Sequence, residues 1–95
     1  MNNLFEAIKA LNLDLKPFSL ENLTKKKSYY CAINETNLLF VYIGKTRFLN
    51  KDALFLENLA QHFNLKHKHF FTKSQLCSKA KNHLEKKGFR VHVAL

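Results

Sequence analysis

The sequence predicts a small α+β domain of two layers, a four-stranded mixed sheet with its crossover helices mainly on one face. Three observations carry that expectation. The 95 residues are 46% apolar and include nine Phe, enough for one core without disulfide or metal staples. Stretches with helical apolar spacing alternate with short aromatic and β-branched stretches, in the order α-β-β-α-β-α-β. The last five of these repeat the β-α-β-α-β rhythm of parallel strands joined by right-handed crossovers, and a hairpin ahead of them adds an antiparallel partner. Residues 1–95 read as one domain, with no repeat, linker or low-complexity segment.

Taken in order, Asn3 followed by Glu6 suggests a capping box, and Leu4, Ile8, Leu11 and Leu15 recur at helical spacing with Phe5 beside them. Lys16-Pro17 forbids continuation, so residues 17–28 read as a connector ending in Lys25-Lys26-Lys27. Residues 29–33 and 38–43 are strands split by Asn34-Glu35-Thr36-Asn37, a hairpin with a four-residue loop. The second is apolar on both faces, which predicts a central position. Asn50 is the expected cap of a second helix that buries Ala53, Leu56, Leu59, Ala60 and Phe63, with Asn64 as its stop. Residues 65–71 read as a weak strand, interrupted by Lys66, His67, Lys68 and His69. Thr72-Lys73-Ser74-Gln75 has the form of a capping box for a third helix with Leu76, Cys77, Ala80 and Leu84 as its apolar stripe. Gly88 supplies a left-handed stop, and residues 90–95 form a last strand with Phe89, Val91, Val93 and Leu95 on one face and Arg90, His92 and Ala94 on the other. On these assignments two layers are expected rather than three, with the first helix on the other face or at an edge.

The net charge of +9 is unevenly placed. Residues 1–24 are close to neutral, with Lys9 and Lys16 against Glu6, Asp14 and Glu21. Residues 66–95 carry Lys66, Lys68, Lys73, Lys79, Lys81, Lys86, Lys87 and Arg90 against Glu85 alone, together with His67, His69, His83 and His92. All the basic residues except Arg47 and Arg90 are Lys, and Asn and Phe are also frequent, a combination that AT-rich codons produce. Such a bias acts along the whole chain and leaves the asymmetry unexplained. A basic third on a neutral scaffold is an electrostatic footprint for a polyanion.

The nucleic-acid expectation rests on Lys66, Lys68, Lys79, Lys86, Arg90 and His92. Gln75, Lys79, Asn82 and Lys86 fall in one helical row opposite the apolar stripe, where Lys side chains could neutralise phosphates or form an ordinary solvated face. Arg90 and His92, joined by His69 or Lys68 and by Tyr30 or Tyr42, would give a sheet face of cations and aromatics suited to unpaired bases. The scarcity of Arg argues against base-edge readout, so RNA or single strands are expected with little sequence preference. The alternative is a protein-interaction subunit that docks on an acidic partner or pairs through an exposed strand edge.

Catalysis is disfavoured. Asp14 and Asp52 are the only Asp, too few for a two-metal site, and two Gly cannot build a phosphate loop. Metal-free RNA cleavage by His, Lys, Arg and Tyr is the third reading, after the two binding modes. His67 and His69 share a strand face with His92 as the one candidate third ligand, and no paired Cys or nearby carboxylate completes a metal set, so no metal and no cofactor are expected. Cys31 and Cys77 match neither a CxxC pair nor a zinc spacing and are expected to be buried reduced thiols. No apolar run exceeds residues 38–43, too short to span a bilayer, and Met1-Asn2-Asn3 opens no signal peptide, so a cytoplasmic location without membrane contact is expected.

Overall fold

The computed structural model describes residues 2–94. Its elements are α1 (Asn2–Leu11), β1 (Lys16–Phe18), β2 (Tyr29–Ile33), β3 (Asn37–Tyr42), α2 (Asn50–Ala60), β4 (His67–Thr72), α3 (Ser78–Lys86) and β5 (Phe89–Val93). They form a mixed α/β fold around one five-stranded sheet of order β1-β2-β3-β4-β5. Neighbours are antiparallel from β1 to β3 and parallel from β3 to β5. The chain moves one strand at a time in a single direction, so both crossover helices fall on the same face.

That face holds the larger core. Tyr29, Cys31, Leu38, Phe40, Tyr42, Phe70 and Phe89 meet Ala53, Leu56 and Leu59 of α2 and Ala80 and Leu84 of α3. The other face carries Ala32, Leu39, Val41 and Phe71 under Leu4 and Ala7 of α1, with Leu15 beside them. β3 is therefore central and buried on both faces, as its unbroken apolar run requires.

Two expectations of the architecture are corrected. There are five strands, because Lys16–Phe18, which runs into the start of the supposed connector at residues 17–28, pairs with residues 31–33 of β2. Three residues beginning Lys-Pro give no alternation to detect, and Pro is tolerated there because β1 is an edge strand. There are also three layers where α1 lies, since the apolar second face of β3 needs a cover that only α1 supplies.

Local starts differ too. α1 already includes Asn2, so Asn3 lies inside its first turn. Leu49 precedes α2, and its N–H is capped by the Asp52 carboxylate at 2.8 Å, leaving Asn50 as the first helical residue. Thr72 ends β4 and does not open α3; its hydroxyl accepts from the Ser74 N–H at 3.0 Å and donates to the Tyr42 carbonyl at 3.2 Å. α3 starts only at Ser78, where the Cys77 sulfur accepts from the Ala80 N–H at 3.4 Å. What displaces the start is Phe48. It is fully buried, its ring centroid lies 4.6 Å from that of Phe70, and its backbone bridges in parallel to Leu76. The Phe48 N–H donates to the Gln75 carbonyl at 2.8 Å and the Cys77 N–H to the Phe48 carbonyl at 3.0 Å, so residues 75–77 stay extended. Leu76 and Cys77 are accordingly only partly buried; α2 ends at Ala60, short of the expected stop at Asn64, and Phe63 lies past its end and is partly buried. Gly88 does adopt positive φ, at 87°. Leu95, expected on the inner face of the last strand, lies outside the described residues.

Leu84 is fully withdrawn from water beneath α3. Leu84→Ala should lower unfolding free energy by about 2–5 kcal/mol in a urea titration, the range for an unrelaxed large-to-small core change. Gly88 has room for a side chain, the nearest atom to an added Cβ being Lys68 Cε at 3.7 Å. Its constraint is backbone strain, so Gly88→Val should destabilise by roughly 1 kcal/mol or more and Gly88→Asn by clearly less. Equal losses for Val and Asn would remove φ as the cause.

Candidate nucleic-acid interface

α1 is a single helix laid over β2 and β3. The β4–β5 half of that sheet face therefore lacks a helix of its own, and the parity of the two strands decides what stands there. His67, His69 and Phe71 of β4 point to this side, because Phe70 points to the other. On β5, Phe89 and Val91 pack in the larger core, so Arg90 and His92 share the face of His69. In register His69 sits opposite Arg90 and Phe71 opposite His92.

The two imidazoles stack, with centroids 6.1 Å apart and planes 25° from parallel. His69 is only 7% exposed. Asn37, at the start of β3, fixes its ring. The Asn37 amide nitrogen donates to Asn34 Oδ1 at 3.2 Å and to Thr36 Oγ1 at 3.0 Å, which leaves Asn37 Oδ1 facing His69 Nε2 at 3.0 Å. An acceptor at that position requires Nε2 to carry the proton, so neutral His69 holds its free lone pair on Nδ1. His69 Nδ1 and His92 Nε2 are both enclosed without a hydrogen-bond partner. Burial pushes the His69 pKa below the ordinary histidine value, and the charges of His92, Arg90 and His67 push it the same way. His92 is lowered by burial and then by Arg90. Among the described residues, every charge acting on this pair is positive.

The six sequence-selected residues do not converge on one spot. Arg90 and His92 share this half-face, and His69 and Tyr30, not Lys68 and Tyr42, lie on their side of the sheet. Lys66 is exposed just before β4. Lys68 points to the opposite face, its ammonium 5.1 Å from the centroid of the Phe89 ring. Lys79 and Lys86 are exposed on α3, seven residues or roughly 10 Å apart along its axis. Gln75, expected in the same helical row, precedes the helix. On the α2 side of α3, Glu57 accepts from His83 at 2.7 Å and pairs with Lys87 at 3.5 Å, an arrangement that lowers the Glu57 pKa. Lys81 and Glu85 lie on the opposite flank, above the β5 edge. Among the described residues Lys66, Lys68, Lys79, Lys81, Lys86 and Arg90 have no carboxylate within ion-pair distance, whereas Lys73 pairs with Glu6 at 2.7 Å. Lys81 and Asn37 were missed from the sequence. Lys81 follows once the Glu57 contacts orient α3, and nothing local marks Asn37 as the partner of a histidine 32 residues away.

No three His, Cys, Asp or Glu side chains gather into a metal-sized group among the described residues. Both cysteines are free; Cys31 is buried, with its pKa pushed up to about 12 by burial, while Cys77 is partly exposed, against the expectation of two buried thiols. No helix is long and apolar enough to cross a membrane among the described residues. Comparison with protein-family models, curated proteins and solved structures finds no match to this chain.

The sign of the histidine shifts makes stability depend on pH. Both folded pKa values lie below the ordinary value of 6.5, so the unfolded chain takes up protons first as pH falls. Stability from this pair is complete above about 6.5 and is lost as pH drops from there through the folded values. Urea midpoints should therefore be lower at pH 5.5 than at 7.5, and His92→Gln should narrow the gap. A midpoint that does not move between those pH values contradicts a buried neutral pair.

Proposed function

We propose that the protein is a non-catalytic module that binds RNA or single-stranded nucleic acid with little sequence preference, through α3 and β5. One observation carries the reading. The cations of the basic third that have no carboxylate partner among the described residues gather on α3 and β5: Lys79, Lys81 and Lys86 are exposed on α3, and Arg90 stands on the other face of the sheet beside neutral His92. Glu85 is the one acidic residue in α3 or β5. Lys66 and Lys68 extend the charge to the end of the sheet where β4 begins. A stiff duplex could lie against one of these faces. A flexible single strand can turn about the edge and meet both, with phosphates as the common contact. With Arg90 as the one guanidinium in the region, contacts reward backbone rather than base edges. The same charge serves nucleic acid wherever the protein resides, and a cytoplasmic location fits an RNA partner.

A second reading has its own support. β5 is an outer strand of the sheet, paired only to β4 among the described residues. Its free edge could accept an extended segment of another protein by strand pairing.

Salt separates the two. Lys79→Glu combined with Lys86→Glu should weaken binding of a short single-stranded RNA and flatten the slope of log affinity against log salt by about 0.7 per lost contact. Lys9→Glu with Lys16→Glu changes the charge equally at two exposed positions far from α3 and should leave the slope nearly unchanged. Equal effects from the two pairs, or no RNA binding at moderate salt, would end the nucleic-acid reading. A tight complex indifferent to salt would favour strand pairing.

A further inference from the structure

The stacked histidines are the part of this surface whose chemistry is left open. His69 is almost wholly buried, yet one of its ring nitrogens has no partner, and the same holds for Nε2 of its neighbour His92. Buried polar atoms are normally hydrogen-bonded, so two such atoms on adjoining rings call for a partner. We infer that His69, His92 and Arg90 form a phosphate-binding site that opens when the histidine pair is protonated. The inference rests on the proposed nucleic-acid binding for its natural ligand, a backbone phosphodiester, although a free phosphate offers the same chemistry.

The argument for an anion is electrostatic and geometric. The groups facing the pair are His67 from β4, Arg90 from β5 and the uncharged Asn37 from β3; Glu6 of α1 is held by Lys73 beyond the end of β4. A metal cation here would meet the Arg90 charge with no carboxylate among the described residues to offset it. Among the described residues, an anion meets Arg90 and groups that are neutral or become positive on protonation. Because Asn37 holds the His69 proton on Nε2, an added proton must go to Nδ1, the nitrogen that lacks a partner. His92 in its protonated form is likewise a donor at both ring nitrogens. The two new donors and the guanidinium then suit the oxygens of one phosphate, with Arg90 able to hold two of them.

The enclosure of both nitrogens makes protonation the gate. In the neutral pair the rings lie stacked and closed. A proton on either ring creates a buried charge without an acceptor, which is costly. His92 lies partly exposed on the edge strand and can turn outward at low cost, whereas His69 is anchored by Asn37. The turned ring presents Nε2 beside Arg90 at the surface. Bound anion favours the protonated pair, so binding and proton uptake reinforce each other.

The test uses the full chain with oligouridylate, whose backbone and bases keep their charge between pH 5.5 and 7.5, at fixed ionic strength. Wild type should gain affinity on acidification, by roughly tenfold for each histidine whose pKa the anion raises by one unit. His92→Gln should lose most of that gain, and His62→Gln, an exposed histidine just past α2, should keep it. In parallel, sulfate should raise the titration midpoints of the His69 and His92 ring signals in NMR, and Arg90→Gln should abolish the rise. A His92→Gln protein that is folded and retains the full pH gain overturns the inference while leaving the RNA reading intact. If no RNA binds but sulfate still shifts both midpoints, the site stands as one for free phosphate and the RNA reading falls. If sulfate moves neither midpoint, the site is refuted.

Discussion

Leu38, Phe40 and Tyr42 on one side of β3 and Leu39 and Val41 on the other are all withdrawn from water, and the other elements are arranged to keep them so. A strand apolar on both faces needs neighbours at both edges and a layer on each side. β2 and β4 supply the edges, α2 and α3 the first layer, and α1 the second. The two faces are unequally served. Two crossover helices cover β3 to β5, while on the other side one helix of ten residues lies mainly over β2 and β3 and reaches β4 only at Phe71. The shortfall falls on β4 and β5, and there the sequence changes from Leu and Val to His, Arg and His. The polar half-face is thus a consequence of how few helices a chain of this length can place, and it is where side chains are released from packing.

That half-face is still not an ordinary wet surface. Phe71 sinks into the α1 core between His69 and the end of β4, and its neighbours on the strands are drawn down with it. A histidine held there can remain neutral at modest cost, which a Lys or Arg cannot, and the Asn37 contact fixes one tautomer. Exposed Arg90 next to the pair adds to the penalty for charging it. Burial and neighbouring charge act in one direction on the same two rings, which makes their protonation a property of the fold as much as of the side chains.

Much of this was legible in the sequence because it follows from period and parity. The central position of β3, the hairpin, the two crossover helices on one face, the positive φ at Gly88 and the common side of Arg90 and His92 were all read from spacing. What escaped depends on contacts between distant residues. The start of α3 is set by Phe48, which lies 28 residues before Leu76 and holds it in a bridge, and this overrides a capping pattern that was locally sound. β1 forms because α1 returns the chain to the edge of β2, not because Lys-Pro-Phe favours a strand. The stacking of His69 on His92 needed the order of β4 and β5, and the Asn37 contact needed the register of β3 against β4. The row of Lys on α3 was recognisable, but its opposition across the sheet to Arg90 was not.

The two ends of the sheet differ in a way that bears on partners. β1 is three residues long and includes Lys16 and Pro17, features that discourage a further strand. β5 is longer, has no Pro, and exposes Val93 to 41%. Protection there comes from charge. An antiparallel copy of β5 in the register centred on Val91 sets Arg90 of each strand opposite His92 of the other, and like charges opposed across strands are destabilising once that histidine is protonated. Like charge thus works against self-pairing of β5. The positive charge that opposes self-pairing at this edge is the same charge on which the proposed anion binding rests, and protonating the histidines would add to it.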